Sequence, residues 1–207
     1  MEHVLDVYKR PYDPCRPVVC MDESPRQLIK ETRVPIPLVP GRPERHDYEY
    51  ERCGVCNIFM ANEPLAGKRM TKVTERKTKP DWAKFIQELA NRYEKADKIT
   101  VVQDNLSTHK PGSLYEAFPP DEAKRLCDRI EFVYTPKHGS WLNMAEIELN
   151  VLVGQCLNRR IGSIAEVEKA VAAWQTRRDN IKAKVNWQFT YQDARIKLRR
   201  LYPTLDE

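Results

Sequence analysis

The stretch "KITVVQDNLSTHKPG", Lys98–Gly112, joins a core strand to a polar end. Ile99–Val102 is a short, continuous apolar run, which is typical of a buried strand. Asp104 and Asn105 follow it, and His109 stands five positions after the acid. Because a strand in a core holds the side chain at its end rigidly, the pattern predicts a preorganised carboxylate at one edge of a sheet.

Length and composition are those of a folded, mildly basic protein. The 207 residues suit one large domain, or one domain with an extension. Hydrophobic residues make up 41% of the chain, which is enough for a core and excludes wholesale disorder. Lys and Arg number 35 against 30 Asp and Glu, so the net charge of +5 permits a polyanionic partner without requiring one.

The sequence lacks membrane and export signals. No run approaches the roughly 18 apolar residues of a membrane span, and the first residues lack the continuous apolar core of a signal peptide. We therefore expect a soluble, intracellular protein with no membrane partner. Its six cysteines are expected to be reduced thiols, since a chain of this size needs no disulfide staples.

The "CGVC" motif, Cys53 and Cys56, raises the question of a zinc site. Zinc normally takes four ligands, and the sequence holds no second C-x-x-C and no H-x-x-x-H to supply the other two. The flanking residues are typical of two strands around Gly54. We expect structural thiols and no zinc, and a zinc protein built on this pair is the weaker alternative.

Alternating strand and helix patterns predict an α/β fold. Strand patterns cover residues 17–23, 48–53 with 56–65, 68–77, 99–104 and 130–136. Helical patterns cover residues 80–93, 113–129, 140–156 with Ser140 as N-cap, 163–181 with Ser163 as N-cap, and 187–203. Helices precede each of the last two strands, which indicates parallel placement. We predict a mixed five-stranded sheet, a three-strand meander plus two parallel strands, flanked by helices.

The domain boundaries follow from composition. We expect residues 1–16 to be a linker-like N-terminal segment and residues 17–207 to form one domain, whose C-terminal part, 163–207, is helical. A proline-rich loop, residues 33–46, is inserted after the first strand. Arg42 and Arg45 make this loop a candidate arm for nucleic acid, and a solvated connector is the equal alternative.

Three acids stand out by their positions. Asp22 ends the first strand, Asp104 ends the fourth, and Glu146 or Glu148 lies on the helix after the fifth. A single Asp at a strand end is usually a turn residue. The first and fourth strands can be neighbours in the predicted sheet, however, and this would bring Asp22 and Asp104 together. Two such strands and an acidic helix in this order favour one shared site.

A cluster of three carboxylates suits metal-assisted phosphoryl transfer. Mg²⁺ and Mn²⁺ prefer carboxylate oxygens, and two such ions roughly 3.5–4 Å apart can hold the attacking and leaving oxygens of a displacement at a phosphodiester. Two divalent ions carry more charge than three carboxylates neutralise, which leaves charge to attract phosphate. Without metal, the carboxylates would repel one another and at least one pKa would rise.

Three blocks of the sequence carry a family resemblance. They are "VVCMDE", "VVQDNLSTH" and "YTPKHGSWLNMAEIELNVL". These blocks resemble those of the bacterial mariner-like insertion-sequence transposases, the six-thirty group of the DDE superfamily, and the similarity runs from Val18 to Leu201. The resemblance implies an RNase H-like fold and a catalytic acid triad of Asp22, Asp104 and Glu146, which would bind two Mg²⁺ or Mn²⁺ ions.

The resemblance also implies an activity and partners. Transposases of this group carry out cut-and-paste transposition: they cleave DNA hydrolytically at the element ends, and a 3′-hydroxyl then attacks target DNA, usually at TA. The implied partners are DNA and a second copy of the chain on DNA, and the implied location is the bacterial cytoplasm at the nucleoid. Group members carry an N-terminal helix-turn-helix region, which this sequence lacks. The alternative function is therefore a catalytically silent, truncated domain that binds DNA or protein.

Further residues of the blocks are candidates for contact with nucleic acid. Asn105 and His109 are candidates to orient Asp104, a metal-bound water or a phosphate, and ordinary turn and cap contacts are the equal alternative. Lys137 and His138 precede the acidic helix, so phosphate contacts are expected there. The predicted nucleic-acid-binding residues are Asn105, His109, Lys137, His138, Arg42 and Arg45.

Helical periodicity alone does not choose between Glu146 and Glu148, because the two flank the apolar stripe on opposite sides. The block "SWLNMAE" resembles the third motif of the family with its acid at the seventh position, which selects Glu146. Glu148 is then expected to point toward solvent or a neighbouring helix. Its replacement by Gln is expected to cost little stability, as for an exposed residue.

Overall fold

The computed structural model describes residues 1–137 and 139–202 and contains a five-stranded sheet. Its strands are β1 (Val18–Glu31), β2 (Tyr50–Glu63), β3 (Lys68–Thr74), β4 (Ile99–Gln103) and β5 (Ile130–Tyr134). The order across the sheet is β3-β2-β1-β4-β5. The first three strands pair antiparallel, and β4 runs parallel to both β1 and β5. The predicted mixed sheet is confirmed.

Seven α-helices surround the sheet in the described residues. They are α1 (Glu2–Tyr8), α2 (Lys79–Arg92), α3 (Pro111–Ala117), α4 (Pro120–Arg129), α5 (Met144–Leu152), α6 (Ile164–Asn180) and α7 (Tyr191–Lys197). Short 3₁₀ turns lie at 107–109, 140–142 and 199–201, and a π turn, Val153–Leu157, continues α5. None of the helices described is both long enough and apolar enough to cross a membrane.

The sheet separates two layers of helices, because side chains alternate between the faces of each strand. On β1, Val19 and Met21 pack with α2, α3 and α4. Cys20, between them, packs on the other face with α1, α5 and α7. Farther along β2, Ile58 and Met60 pack on that same second face against α5 and α6. The functional side chains near β1 can therefore be assigned to a face by their position in the strand.

Helix α1 is an element that the sequence did not predict. Residues 1–16 were expected to be linker-like, yet Val4, Leu5 and Val7 are buried and pack with β1, β4 and α5. A helix of seven residues presents too few apolar positions to show a helical period. The start of the chain thus contributes to the core.

Strands β1 and β2 are longer and more continuous than predicted. β1 extends beyond residue 23 and runs through Pro25. Its pairing with β4 covers Val18–Cys20, so Pro25 lies where β4 no longer pairs with β1, and proline is tolerated there. The expectation of two strands around Gly54 was wrong. Gly54 adopts φ +98° inside β2 beside a shift in register, a conformation that glycine allows at low cost.

Helix α5 begins three residues later than predicted. Ser140 opens a 3₁₀ turn, Ser140–Leu142, and Asn143 is the N-cap. The Oδ1 atom of Asn143 accepts a hydrogen bond from the backbone N–H of Ala145 over 3.1 Å. The Ser163 cap of α6 is confirmed, since its hydroxyl accepts from the Glu166 N–H. The later start of α5 places an amide side chain, rather than a hydroxyl, next to β1.

The proline-rich loop between β1 and β2 forms a small hairpin arm. Backbone pairs join Ile36 to Arg45 and Val39 to Arg42. Its apolar side chains are exposed, with Leu38 at 72%. We call residues 33–46 the arm below.

Candidate active site

The register of the parallel pair β1–β4 brings Asp22 and Asp104 to one edge of the sheet. Cys20 pairs with Val102. Asp22 and Asp104 each stand two residues beyond this pair, and residues two apart share a face of a strand. Both side chains therefore project from the face that carries α5, at the carboxyl end of the parallel strands.

Asn143 joins the third acid to this edge. Its Nδ2 donates to the carbonyl of Met21 over 2.8 Å and to Oδ2 of Asp22 over 3.3 Å. The same side chain caps α5, and Glu146 lies in the first turn of that helix. One amide thus fixes the start of the helix that carries Glu146 to the strand that carries Asp22.

The charges of Asp104 and Glu146 both act on Asp22, which indicates that the three predicted acids are near one another. Burial raises the pKa of Asp22 to about 7, against the opposing effect of the hydrogen bond from the Glu23 N–H. The negative charges of Glu23, Asp104 and Glu146 raise the pKa further. The ionised form of Asp22 is therefore disfavoured in this surrounding, and a cation would relieve the repulsion.

The donor set fits a hard divalent cation by its chemistry. Carboxylate oxygens are the ligands that Mg²⁺ and Mn²⁺ prefer. Over residues 1–137 and 139–202, no three His, Cys, Asp or Glu side chains already stand in a ready-made metal-binding arrangement. Asn143 and His109 hold one oxygen each of Asp22 and Asp104. The acids are thus gathered around Asp22 and partly engaged by neighbours.

His109 is a buried partner of Asp104 rather than a surface residue. Its side chain is 1% exposed, with Nδ1 at 2.5 Å from Oδ1 of Asp104 and Nε2 at 3.2 Å from Oε2 of Glu23. Burial alone lowers the pKa of His109, but its hydrogen bond to Asp104 and its contacts with the negative charges of Asp104 and Glu23 outweigh burial and raise the pKa to about 9. The structure does not support the prediction that His109 contacts DNA, because neighbouring groups enclose the ring.

A polar groove borders Asp104. It is lined by Asp104, Asn105, Leu106, Thr135, Pro136, Lys137 and Ser140. Asn105 is exposed and accepts a hydrogen bond from Lys110, whose ammonium lies 4.2 Å from the centre of the Tyr134 ring. The structure therefore brings Asn105 and Lys137 into one groove with a predicted catalytic acid. The predicted contact His138 lies outside the described residues.

Arg42 and Arg45 are exposed on the arm, away from this groove. The arm follows Glu31, and the strand from Asp22 to Glu31 spans about 30 Å at the usual rise per residue. A single bound phosphate could not reach both places. Any DNA contact of these arginines is separate from the acids.

Glu148 has a structural environment that the sequence did not reveal. Its side chain is 0% exposed, and it accepts hydrogen bonds from Nε of Arg69 over 2.6 Å and from Nη2 of Arg178 over 2.8 Å. Glu148 was expected to point toward solvent or a neighbouring helix, and the second is what the structure shows, since Arg178 lies on α6. Its burial does not fit the expectation that it is replaceable like an exposed residue. Its partners lie 79 and 30 positions away, so no local pattern marks them.

Two residues of the site, Glu23 and Asn143, were not singled out from the sequence. Adjacent strand residues point to opposite faces, so the "DE" pair of Asp22 and Glu23 already implies one carboxylate on each side of the sheet. Asn is a preferred N-cap, which could have marked Asn143 as the start of the acidic helix. Both signals are short-range and were available in the sequence.

The strand order, and the two acids that follow the paired segment of the parallel strands β1 and β4, define the RNase H-like class of fold. A family model described as DDE superfamily endonuclease matches residues 17–168. The chain belongs to the DDE superfamily endonuclease family.

Solved transposase structures share the fold. The Mos1 strand transfer complex matches with a TM-score of 0.59 at 18% identity, over 88% of this chain and 54% of that chain. The mariner Mos1 paired end complex with Mn matches with a TM-score of 0.57 at 16% identity, over 88% of this chain and 56% of the other. This chain thus spans about half the length of the Mos1 chains. A search of curated protein sequences found no match.

Proposed function

We propose that this chain is the catalytic domain of a cut-and-paste transposase that cleaves DNA strands and transfers their 3′ ends. The observation that carries the proposal is the gathering of Asp22, Asp104 and Glu146, from β1, β4 and α5, at one sheet edge. Family membership supports the nuclease chemistry. The fold shared with Mos1 transposase supports its use in transposition.

Divalent cations are the cofactor that this acid set suits. Asp22, Asp104 and Glu146 would hold them, and the cations would supply positive charge to the attacking and leaving oxygens of the phosphodiester. Mg²⁺ and Mn²⁺ are both in keeping with carboxylate ligands, and Mos1 paired end complexes are known with each. The chain's own contribution is to hold the carboxylates: Asn143 binds Asp22 and His109 binds Asp104.

The groove beside Asp104 supplies a place for the DNA backbone. Lys137 brings a positive charge next to the acids, and Asn105 offers an amide. Contacts of this kind bind phosphate without reading sequence. We therefore assign the groove to the strand that is cleaved.

We also propose that two copies act together on DNA. Mos1 forms paired end and strand transfer complexes, in which transposon ends are brought together. In this chain the arm exposes apolar side chains, among them Val34 at 92% and Leu38 at 72%, beside the basic Arg42 and Arg45. The double variant Val34→Ser, Leu38→Ser is expected to reduce the dimer fraction measured by light scattering with DNA. An unchanged dimer fraction would contradict the assignment of this surface.

A cleavage assay tests the proposed function. The wild-type protein should nick or join labelled DNA duplexes with Mg²⁺ or Mn²⁺ and not with EDTA. Asp22→Asn and Asp104→Asn should each lose activity while they remain folded by circular dichroism. Asp128→Asn, at an exposed acid of α4, is the matched control and should keep full activity. If the wild-type protein binds DNA but never cleaves it, the catalytically silent alternative replaces this proposal.

A further inference from the structure

Glu23 is a buried carboxylate on the opposite face of β1 from Asp22. It pairs across the sheet with Phe59, which packs against α2, whereas Asp22 faces α5. The Glu23 side chain is only 3% exposed. Burial of a charged group is costly unless another charge or hydrogen bond compensates it. The residue therefore needs a partner on its own face.

Glu23 has two charged partners: Lys77 donates to Oε1 over 3.5 Å, and His109 spans from Oε2 of Glu23 to Asp104. Nε2 lies 3.2 Å from Oε2 of Glu23, and Nδ1 lies 2.5 Å from Oδ1 of Asp104. Oε2 is enclosed and accepts no well-directed hydrogen bond among the described residues. Its contact with the imidazole is thus one of charge, and the ring has a carboxylate at each nitrogen.

The position of the His109 ring is fixed from two further directions. Trp82 stacks on it with 5.8 Å between ring centres and 25° between the planes. The His109 carbonyl accepts hydrogen bonds from Nε2 of Gln103 and from the hydroxyl of Tyr134, each over 2.9 Å. The plane of the His109 ring and the position of its backbone are therefore fixed. In this orientation Nδ1 faces Asp104 and Nε2 faces Glu23.

We propose that Glu23 and His109 are positioning residues for Asp104. His109 holds Oδ1 of Asp104, which leaves Oδ2 for a cation, and Glu23 holds His109 from behind. The inference rests on the proposed function, in which Asp104 is a metal ligand. Groups that orient a metal ligand through a hydrogen bond typically change metal affinity by roughly 10–100-fold when they are removed.

Metal binding to the full chain tests the proposal apart from catalysis. Mn²⁺ titrations by calorimetry should show roughly 10–100-fold weaker binding for Glu23→Gln and for His109→Gln than for the wild type. The double variant should be little weaker than either single one, because both changes break the same link. Excess Mn²⁺ should restore DNA cleavage in Glu23→Gln and not in Asp104→Asn, which lacks the ligand itself.

Glu63→Gln is the matched control. Glu63 is a buried carboxylate on the same face of the sheet, 4% exposed, and it accepts a hydrogen bond from the Tyr93 hydroxyl over 2.9 Å. Its replacement should leave Mn²⁺ affinity unchanged, whatever it does to the unfolding midpoint. An equal loss of affinity in Glu63→Gln and Glu23→Gln would overturn the proposal, since both would then act through general stability.

Two further outcomes distinguish a failure of the positioning role from a failure of the proposed function. Wild-type Mn²⁺ affinity in folded Glu23→Gln or His109→Gln overturns the positioning role alone. A wild-type protein that binds no Mn²⁺ overturns the proposed function, and the positioning role with it. His109→Gln tests the same link from its other end, so the decision does not depend on the folding of one variant.

Discussion

Arg69 donates a hydrogen bond from Nε to Oε2 of Glu148 over 2.6 Å, and the two side chains are 1% and 0% exposed. Arg178 closes on the other oxygen of Glu148 from α6. Through these two arginines, Glu148 links one side of α5 to β3 and to α6. Glu146, two residues earlier, lies on the other flank, toward Asp22. Two neighbouring glutamates of one helix thus have different surroundings, which can be tested separately.

We expect Glu148→Gln to destabilise the fold. Removal of the Glu148 charge takes the carboxylate from Arg178 and leaves Arg69 paired with the more distant Asp179, at 3.4 Å. The typical loss on breaking a buried ion pair is about 3 kcal/mol or more. Chemical denaturation should show this as a lower free energy of unfolding. Glu146→Gln is the matched control, because Glu146 is only partly buried, and its change should be within about 0.5 kcal/mol. Equal stability of the two variants would contradict the structural role of Glu148.

Strand cleavage should rank the two glutamates in the reverse order. Glu146→Gln should stop metal-dependent cleavage, because it removes a proposed cation ligand without disturbing the fold. Glu148→Gln should retain cleavage at a temperature where the variant is still folded. Activity should be compared with the folded fraction measured in the same buffer. Full activity of Glu146→Gln would exclude that residue from the site.

The stability of the metal-free protein should depend on the protonation of Asp22. Its pKa is raised from 3.8 to about 7 in the folded state, so the folded protein binds more protons than the unfolded chain between these values. Stability from this group is full below pH 4 and is lost as the pH rises to about 7. Asn cannot ionise, so the Asp22→Asn variant does not lose this stability as the pH rises. Between pH 4 and pH 7 its free energy of unfolding should therefore rise relative to that of the wild type, by at most about 4 kcal/mol. If the free energies of unfolding of the two proteins changed equally with pH, the raised pKa of Asp22 would be contradicted.

DNA affinity should be weak, tolerant of sequence and steeply dependent on salt. Lys137 lies in the groove beside Asp104, and loss of one phosphate contact reduces the slope of log affinity against log salt by about one. Lys137→Ala should show this reduction in fluorescence titrations. Lys124→Ala, at an exposed lysine of α4 that pairs with Asp128, should not. A strong preference for one duplex sequence would contradict readout through phosphates alone.

The parts of the fold that could be predicted from the sequence are those with a local pattern of apolar and polar residues. The apolar run before Asp104 predicted β4, and the crossover through α2 predicted its parallel placement beside β1. The strand-end positions of Asp22 and Asp104 then predicted that the two acids meet. What sequence did not reveal depends on distant partners. The sequence left Glu148 facing solvent or a neighbouring helix, and it could not name Arg69 and Arg178 as partners because both are remote in the chain.

Burial changed the interpretation of individual residues more than it changed the fold. Histidine is a residue type that often contacts DNA. The His109 ring is instead buried, where it stacks on Trp82 and lies between two carboxylates. Serine is a preferred N-cap, but Ser140 lies in a 3₁₀ turn, and Asn143 is the N-cap of α5. These outcomes depend on side-chain packing across the sheet, which periodicity does not encode.

The parallel pairing of β1 with β4 also sets when the site can exist during folding. The meander of β1, β2 and β3 forms from near neighbours, whereas Val18 meets Thr100 only after a loop of roughly 80 residues has closed. Asp22 and Asp104 stay apart until that late, non-local step. A nascent or partly unfolded chain can therefore carry the hairpins without an assembled acid cluster. Under the proposed function, such molecules would lack the cation site and would not cleave DNA before folding is complete.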